Sequence, residues 1–387
     1  MIKKVLRKTS SLLYKAHVFI NGLSKERPSF VPYQLSSQPS KSRIKIIHAN
    51  GNFIIGGTSQ LIVDIIEHTS EKYSHKIIVP ELPDPLPYQP LAIYSFPYGQ
   101  MQELYDFLKV ENPDFVHIHY WIRHEHRYKN FAIWYQTVFK ICEELKIDVI
   151  QNINVPTAPF FNSSVVHNVF VSDYVKNEFN NSAVSSSVIY PGSDFSHFKN
   201  EDLNSLPNNI GMVYRLDRDK LNPEAIEVFI TVVKRNPDIQ CYIIGGGHYF
   251  EYYKKRVAEE KLSNNFVFTG FVSYKSLPGL YKQMCVFVAP VHDESFGQVT
   301  PFAMSMGLAV AGYDIGALSE IMGYKNTLAE YGQVDNLADI IIDLIESPEK
   351  RISIGEANKE RAHKHFSVES MVEQYIELYD KYLSKGG

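Results

Sequence analysis

Between Cys285 and Met322 the chain reads CVFVAPVHDESFGQVTPFAMSMGLAVAGYDIGALSEIM, and this stretch constrains the fold more than any other. Val286, Phe287, Val288 and Ala289 form an apolar run of strand length, broken by Pro290. An acidic and polar loop leads to Ser295-Phe296-Gly297, then to small and apolar residues at helical spacing that stop at Gly307. A second apolar run, Leu308 to Ala311, follows at once. Strand, glycine-bearing turn, helix and strand make a βαβ unit whose loop lies at the carboxyl end of the first strand, where ligands bind in open parallel sheets. The amides of Phe296 to Val299 fall at the expected helix start and suit a phosphate. Glu294, just outside that start, is placed to accept from hydroxyls. An anion cradle with a carboxylate beside it fits a sugar joined to a nucleoside diphosphate.

The same alternation of strand and helix runs along most of the chain. Strand-like runs at Ile44–His48, Lys76–Val79, Phe115–His119, Asp148–Ile150, Asn168–Val171 and Val188–Tyr190 are separated by helical stretches. Asn204 to Asn209 reads as a hinge. The pattern restarts with Ile210–Val213, a helix through Glu224–Val233, and strands at Gln240–Ile244, Phe266–Phe268, Val286–Ala289 and Leu308–Ala311. A final amphipathic helix begins at Ser367, a suitable N-cap. The expected class is α/β with a largely parallel sheet in each of two domains and a cleft between them. The boundaries are 1–42 for a basic extension and linker, 43–205 and 206–365 for the two domains, and 366–387 for the last helix.

Charge separates the extension from the body. Residues 1–43 hold nine Lys or Arg against one acid, +8, so the remainder carries −12 of a net −4. An acidic body argues against nucleic acid as a partner. Ile2, Leu6, Leu13, Ala16, Ile20 and Leu23 recur at helical spacing, with Lys4, Lys8, Ser11 and Lys15 on another face. That pattern suits an anionic membrane surface contacted through residues 1–27, or a helix docked on protein. No apolar run approaches the roughly 18 residues of a membrane span. Cys142, Cys241 and Cys285 are scattered and form no CxxC, which indicates a reducing cytoplasm, peripheral to the inner membrane face if the extension binds there.

Four groups carry candidate chemistry. Gly56-Gly57 after the first strand lets backbone approach a ligand. His117 and His119 end a strand on one face; with His124 and His126 downstream they raise a metal site, but only Glu125 accompanies them as a further ligand type and no metal is expected. Arg215 and Lys220 follow a strand and suit a diphosphate. The intervening Asp217-Arg218-Asp219 also spells a metal-binding pattern, which the cationic loop argues against. Gly245 to Gly247 and Thr269 to Val272, including Gly270 and Phe271, stand where a nucleoside would approach.

The segment around Glu294 resembles the donor-binding region of the retaining glycosyltransferases of family 4. Glu294, Phe296, Gly297, the Ala303–Gly307 run, Gly316 and Glu320 match that family, whose second glutamate, eight positions after the first, is here Phe302. The resemblance covers roughly residues 43–384. It implies two facing Rossmann-like domains (the GT-B fold), a nucleoside diphosphate sugar as donor, a glycan or lipid-linked acceptor, and front-face transfer without cofactor or metal. It also implies site roles: Gly56 and Gly57 over the diphosphate, with Arg215, Lys220, Ser295, Gln298 and Val299 around it, and His119 and Glu294 on the sugar. Loss of the second carboxylate leaves two further readings, a catalytically silent partner subunit or a nucleotide-sugar epimerase of the same fold.

Overall fold

The computed structural model describes residues 44–54, 56–84, 88, 91–123 and 128–384. The basic extension and its amphipathic stripe, and His124, Glu125 and His126, lie outside them.

The first lobe runs β1 (Ile44–Asn50), α1 (Gly57–Thr69), β2 (Tyr73–Val79), β3 (Ile93–Ser95), α2 (Met101–Glu111), β4 (Phe115–Tyr120), α3 (Lys129–Leu145), β5 (Val149–Ile153), β6 (Val165–Phe170), α4 (Asp173–Phe179) and β7 (Ser186–Val188). Its seven strands pair in the order β3-β2-β1-β4-β5-β6-β7, and the pairs are parallel. The second lobe runs β8 (Ile210–Val213), α5 (Ala225–Arg235), β9 (Cys241–Ile244), α6 (Phe250–Glu259), β10 (Phe266–Gly270), α7 (Leu277–Tyr281), β11 (Val286–Ala289), α8 (Val299–Ser305), β12 (Ala309–Tyr313), α9 (Leu318–Met322) and β13 (Leu328–Ala329). Six parallel strands are ordered β10-β9-β8-β11-β12-β13. Three helices close the chain: α10 (Val334–Glu346), α11 (Pro348–His365) and α12 (Val368–Leu383). Two Rossmann-like α/β lobes result. In both sheets the strand order reverses beside the first strand, the place where an open parallel sheet leaves a crevice at its carboxyl edge.

Several element limits differ from the sequence expectation. β3 and β13 are short edge strands with too few apolar residues to register as runs. β6 begins at Val165 and β7 ends at Val188, both earlier than expected, because pairing with the neighbouring strand and not hydropathy sets their limits. The passage between lobes also lies ahead of the Asn204–Asn209 break. Phe198 already stacks on Phe302 at 4.2 Å between ring centroids, and the Ser305 hydroxyl donates to the Phe198 carbonyl at 3.0 Å. The crossing is at Ser193, whose N–H donates to the Phe366 carbonyl at 2.9 Å while its carbonyl accepts from Val368 N–H at 3.2 Å. The two passages of the chain between lobes are thus hydrogen-bonded to each other. Gly192 is required there, since a Cβ would lie 2.6 Å from Val368 Cα.

α12 starts at Ser367, whose hydroxyl accepts from Ser370 N–H at 3.2 Å, and lays Met371, Val372, Tyr375, Leu378 and Tyr379 against Ile46, Phe115, Ile150 and Val169 of the first sheet. The opposite face of that sheet (Ile47, Val116, Ile118, Val149) packs with Trp134, Val138 and Phe139 of α3 in the main core.

One buried acid works against this packing. Asp64 on α1 is pushed up to about 6 by burial, although Gln60 donates to its Oδ1 at 2.7 Å and opposes the shift. A carboxyl raised in the folded state contributes most when protonated and destabilises the fold as pH rises through 6. Asp64→Asn should therefore stabilise the protein at pH 8 by at most about 3 kcal/mol, the equivalent of the shift. The gain should shrink toward zero near pH 4. Urea denaturation at the two pH values measures it.

Candidate active site

Glu294 sits in the loop between β11 and α8 with 1% of its surface exposed. Lys220, in the loop after β8, donates from Nζ to its Oε1 at 2.6 Å. Among the described residues Glu294 Oε2 has no hydrogen-bond partner, and the buried Tyr214 hydroxyl lies nearby beside Thr300. Burial, then the Glu294 charge, holds the Tyr214 hydroxyl well above its ordinary value, so it stays protonated as a donor. The backbone fixes the carboxylate as tightly as the ion pair does. The Glu294 carbonyl accepts from Ala317 N–H at 3.0 Å. Gly316, at φ 55°, leaves room where a Cβ would stand 2.0 Å from that carbonyl oxygen; Gly297, at φ 75°, does the same for the carboxylate, 2.4 Å from Oε2.

Around this centre the structure gathers most of the residues singled out from sequence. Gly245, at φ 127°, passes so close to Tyr214 that a Cβ would be 2.0 Å from its carbonyl oxygen. Its N–H donates to Gly270 O at 3.1 Å, and Phe271 lies over Gly246. The carboxyl ends of β8, β9 and β10 therefore form one glycine-lined rim. Across the cleft, Gly57 of the first lobe faces Gln298 of the second: a Cβ on Gly57 would lie 3.4 Å from Gln298 Oε1. Gln298 Nε2 in turn donates to Gly192 O at 3.1 Å. Phe296 is buried and stacks against Tyr190 at 5.8 Å.

Other placements depart from expectation. Arg215 is exposed and pairs with Asp219 at 2.6 Å and Asp217 at 3.6 Å, so its charge is held by its own loop. Asp217 Oδ1 also accepts from His248 N–H at 2.8 Å. The acidic pair thus builds the loop. Lys220, expected on a diphosphate, is joined to the carboxylate expected on the sugar. α8 has only seven residues, so its dipole is small and the cations and glycine-lined backbone must carry most anion recognition.

His119, expected on the sugar, has no exposed surface, and its Nε2 lies 3.1 Å from His48 Nδ1. His117, weighed in sequence as a metal ligand at a strand end, is also buried and bonds through Nδ1 to the Tyr379 hydroxyl at 2.8 Å. The physical reason is register: residues 115, 117 and 119 of β4 share the face that α12 covers. Phe302 lies in an aromatic box with Phe198 at 4.2 Å and Phe195 and Tyr274 each at 5.8 Å, filling space where a carboxylate would be unpaired.

Four contacts not foreseen from sequence join the lobes beside the site. Arg123 pairs with Asp293. Ser172 Oγ donates to Ser295 O at 2.7 Å. The Glu320 carboxylate accepts from Asp173 N–H at 2.6 Å and Tyr174 N–H at 2.9 Å, neutralising the start of α4 from the other lobe. Serines and acids of this kind carry no sequence signal for a partner that lies about 150 positions away.

The steric fence around Glu294 can be separated from ordinary glycine effects. Gly332 has φ 84°, and a Cβ there would meet nothing within 4 Å, so Gly332→Ala should cost about 1 kcal/mol from the left-handed backbone alone. Gly316→Ala adds a backbone collision and should cost at least about 2 kcal/mol more, read by urea denaturation.

Residues 194–361 match the model of glycosyl transferases group 1. The 2-deoxystreptamine glucosyltransferase of Streptomyces kanamyceticus is 27% identical over 178 residues, 46% of either chain. A GDP-mannose-dependent phosphatidylinositol monomannoside mannosyltransferase of Corynebacterium glutamicum is 28% identical over 178 residues, 44% of this chain and 45% of its own. The chain spans about half the length of the curated relatives it matches. Among solved structures, Anabaena HepE in complex with UDP-glucose superposes with a TM-score of 0.70 over 88% of this chain and 100% of its own, at 17% identity, a likeness of fold. The pneumococcal O-GlcNAc transferase GtfA in complex with UDP and GlcNAc does so with a TM-score of 0.69 over 89% of this chain and 100% of its own, at 10% identity. The chain therefore has the GT-B fold, and residues 194–361, which include the sheet of the second lobe, are similar to the glycosyl transferases of group 1.

Proposed function

We propose that this protein is a retaining glycosyltransferase that moves a sugar from a nucleoside diphosphate donor to a hydroxyl of a glycan or lipid-linked acceptor, in synthesis of a cell-surface polysaccharide or glycoconjugate. The observation that carries this reading is the buried Glu294, whose second oxygen is unpartnered beside Lys220 at a glycine-lined sheet edge. An unsatisfied buried acceptor is costly unless a ligand completes it. A sugar hydroxyl supplies the missing donor, while Lys220 and Arg215 neutralise the departing diphosphate. Binding requires Arg215 to exchange Asp217 and Asp219 for phosphate oxygens, which an exposed side chain does readily.

In front-face transfer the bond from the anomeric carbon to the phosphate oxygen breaks and the acceptor oxygen attaches on the same side. The hydroxyl proton passes to the leaving phosphate. No metal or cofactor is required of the protein, whose contribution is position and charge. The sugar of the product should keep its anomeric configuration, as NMR of the purified product would show; inversion would rule the mechanism out. Glu294→Ala should reduce turnover about ten- to a hundredfold, the scale of a lost charge-assisted contact in the transition state. Its affinity for a bare nucleoside diphosphate should stay nearly unchanged. Arg215→Ala should weaken that affinity about tenfold, in calorimetric titration.

The aromatic box around Phe302 favours a second reading, a partner subunit without turnover. Loss of a ribose-binding carboxylate is worth about 1.5–3 kcal/mol of donor binding. Absence of turnover with every donor of a nucleotide-sugar panel, and of any thermal shift with nucleoside diphosphates, would favour that subunit. Conversion of a donor sugar without acceptor would instead reveal an epimerase.

The acidic body and basic extension suit work at the inner face of the cytoplasmic membrane. Full-length protein should float with anionic vesicles and be released as salt rises, because attraction between exposed charges is screened within about 8 Å at physiological ionic strength. A chain lacking residues 1–27 should not float.

A further inference from the structure

His48 on β1 and His117 and His119 on β4 have no exposed surface, and His117 lies against Tyr375 and Tyr379 of α12. Each can offer one ring nitrogen, and the three nitrogens lie within 4.8 Å of one another. Among the described residues, two nitrogens of the cluster, His117 Nε2 and His119 Nδ1, have no hydrogen-bond partner, an unusual state for a buried imidazole.

The surrounding hydrogen bonds decide which lone pairs are bare. The Thr69 hydroxyl donates to the Ile65 carbonyl, so toward His75 Nε2, 2.9 Å away, it accepts. His75 therefore carries its proton on Nε2, and its bare Nδ1 accepts from His48 Nε2 at 3.0 Å. That leaves a lone pair on His48 Nδ1, which accepts from His119 Nε2–H at 3.1 Å; an ion bound at His119 Nε2 would move that proton to His119 Nδ1, whose lone pair has no partner among the described residues. His117 Nδ1 is held by the Tyr379 hydroxyl at 2.8 Å, which directs Nε2 into the cluster.

We infer that His48 Nδ1, His117 Nε2 and His119 Nε2 form a buried binding site for a late first-row transition-metal ion, distinct from the transfer site. Neutral imidazole suits zinc, copper, iron and nickel. Metal-bound histidines usually hold a second partner through their other nitrogen, as His75 does for His48 and Tyr379 does for His117. Tetrahedral coordination at 2.0–2.1 Å sets ligand nitrogens roughly 3.4 Å apart, so the spacing here needs only side-chain adjustment of less than about 1.5 Å. No carboxylate or thiolate belongs to the cluster. The ion's charge is therefore uncompensated by the ligands, which favours monovalent copper or a zinc ion that brings hydroxide as its fourth ligand. Because Tyr379 belongs to α12, an ion here would fasten that helix to the first sheet.

The test uses the full chain. Protein from zinc-supplemented cells is assayed for metal by mass spectrometry. It is then unfolded in chelator and refolded with zinc(II), cobalt(II) or copper(I), each added alone. Expected are close to one ion per chain for zinc or copper, tetrahedral cobalt absorption, and a Tm several degrees above the metal-free protein. A His117→Gln variant should lose the ion, whereas a variant with His124→Gln and His126→Gln should keep it. Less than one ion per ten chains in both the purified and the refolded wild type overturns the inference, leaving a relay of neutral imidazoles. Full retention by His117→Gln overturns it as well. The wild-type measurements stand even if that variant does not fold.

Discussion

A carboxylate with almost no exposed surface persists only where a cation and well-placed dipoles replace its water, and the second lobe is built around meeting that condition for Glu294. Lys220 reaches it from the loop after β8, and Ala317 holds its carbonyl from the loop after β12. Three neighbouring strand ends are thereby tied to one residue. The left-handed glycines at 297 and 316 are consequences of this closeness, since any side chain there would occupy the space of Glu294 itself. Such a buried pair is weak evidence for stability, because desolvation offsets much of the attraction. Its value is positional: the unpartnered oxygen has one orientation before any ligand arrives.

The contacts between lobes follow from the same loop. Asp293, Ser295 and Gln298 flank Glu294 and Gly297, and each meets the first lobe, through Arg123, Ser172 and Gly192. A change in lobe angle is therefore a change at the site. Glu320 adds a charged cap on a helix of the opposite lobe, and the paired crossings at Ser193 and Ser367 keep both passages of the chain in step.

Much of this was legible in sequence where local pattern and chemistry coincide. The βαβ unit at 285–311, the glycines at 245 and 270, and the cations at 215 and 220 converge as their strand-end positions imply. The loop that holds Glu294 was recognisable from the strand, glycine turn and helix around it. The histidines were not. Strand periodicity placed His117 and His119 on one face, but nothing local told that α12, some 250 residues later, covers that face. His48 and His75 carried no signal at all, for neighbours in a parallel sheet are distant in sequence.

The sequence by itself determined the alternation of strands and helices, two parallel sheets, and the chemistry available at their carboxyl edges. Those follow from hydropathy period and from the few residue types that tolerate tight turns or bind phosphate. Only the tertiary structure decided which charges are already paired, that Lys220 belongs to Glu294 and Arg215 to its own loop, and that Phe302 completes an aromatic box. It also decided that one face of the first sheet buries a chain of imidazoles under the last helix. These outcomes depend on contacts between residues many tens to hundreds of positions apart, and a pairing across that distance is set by packing of whole elements, which no local period encodes.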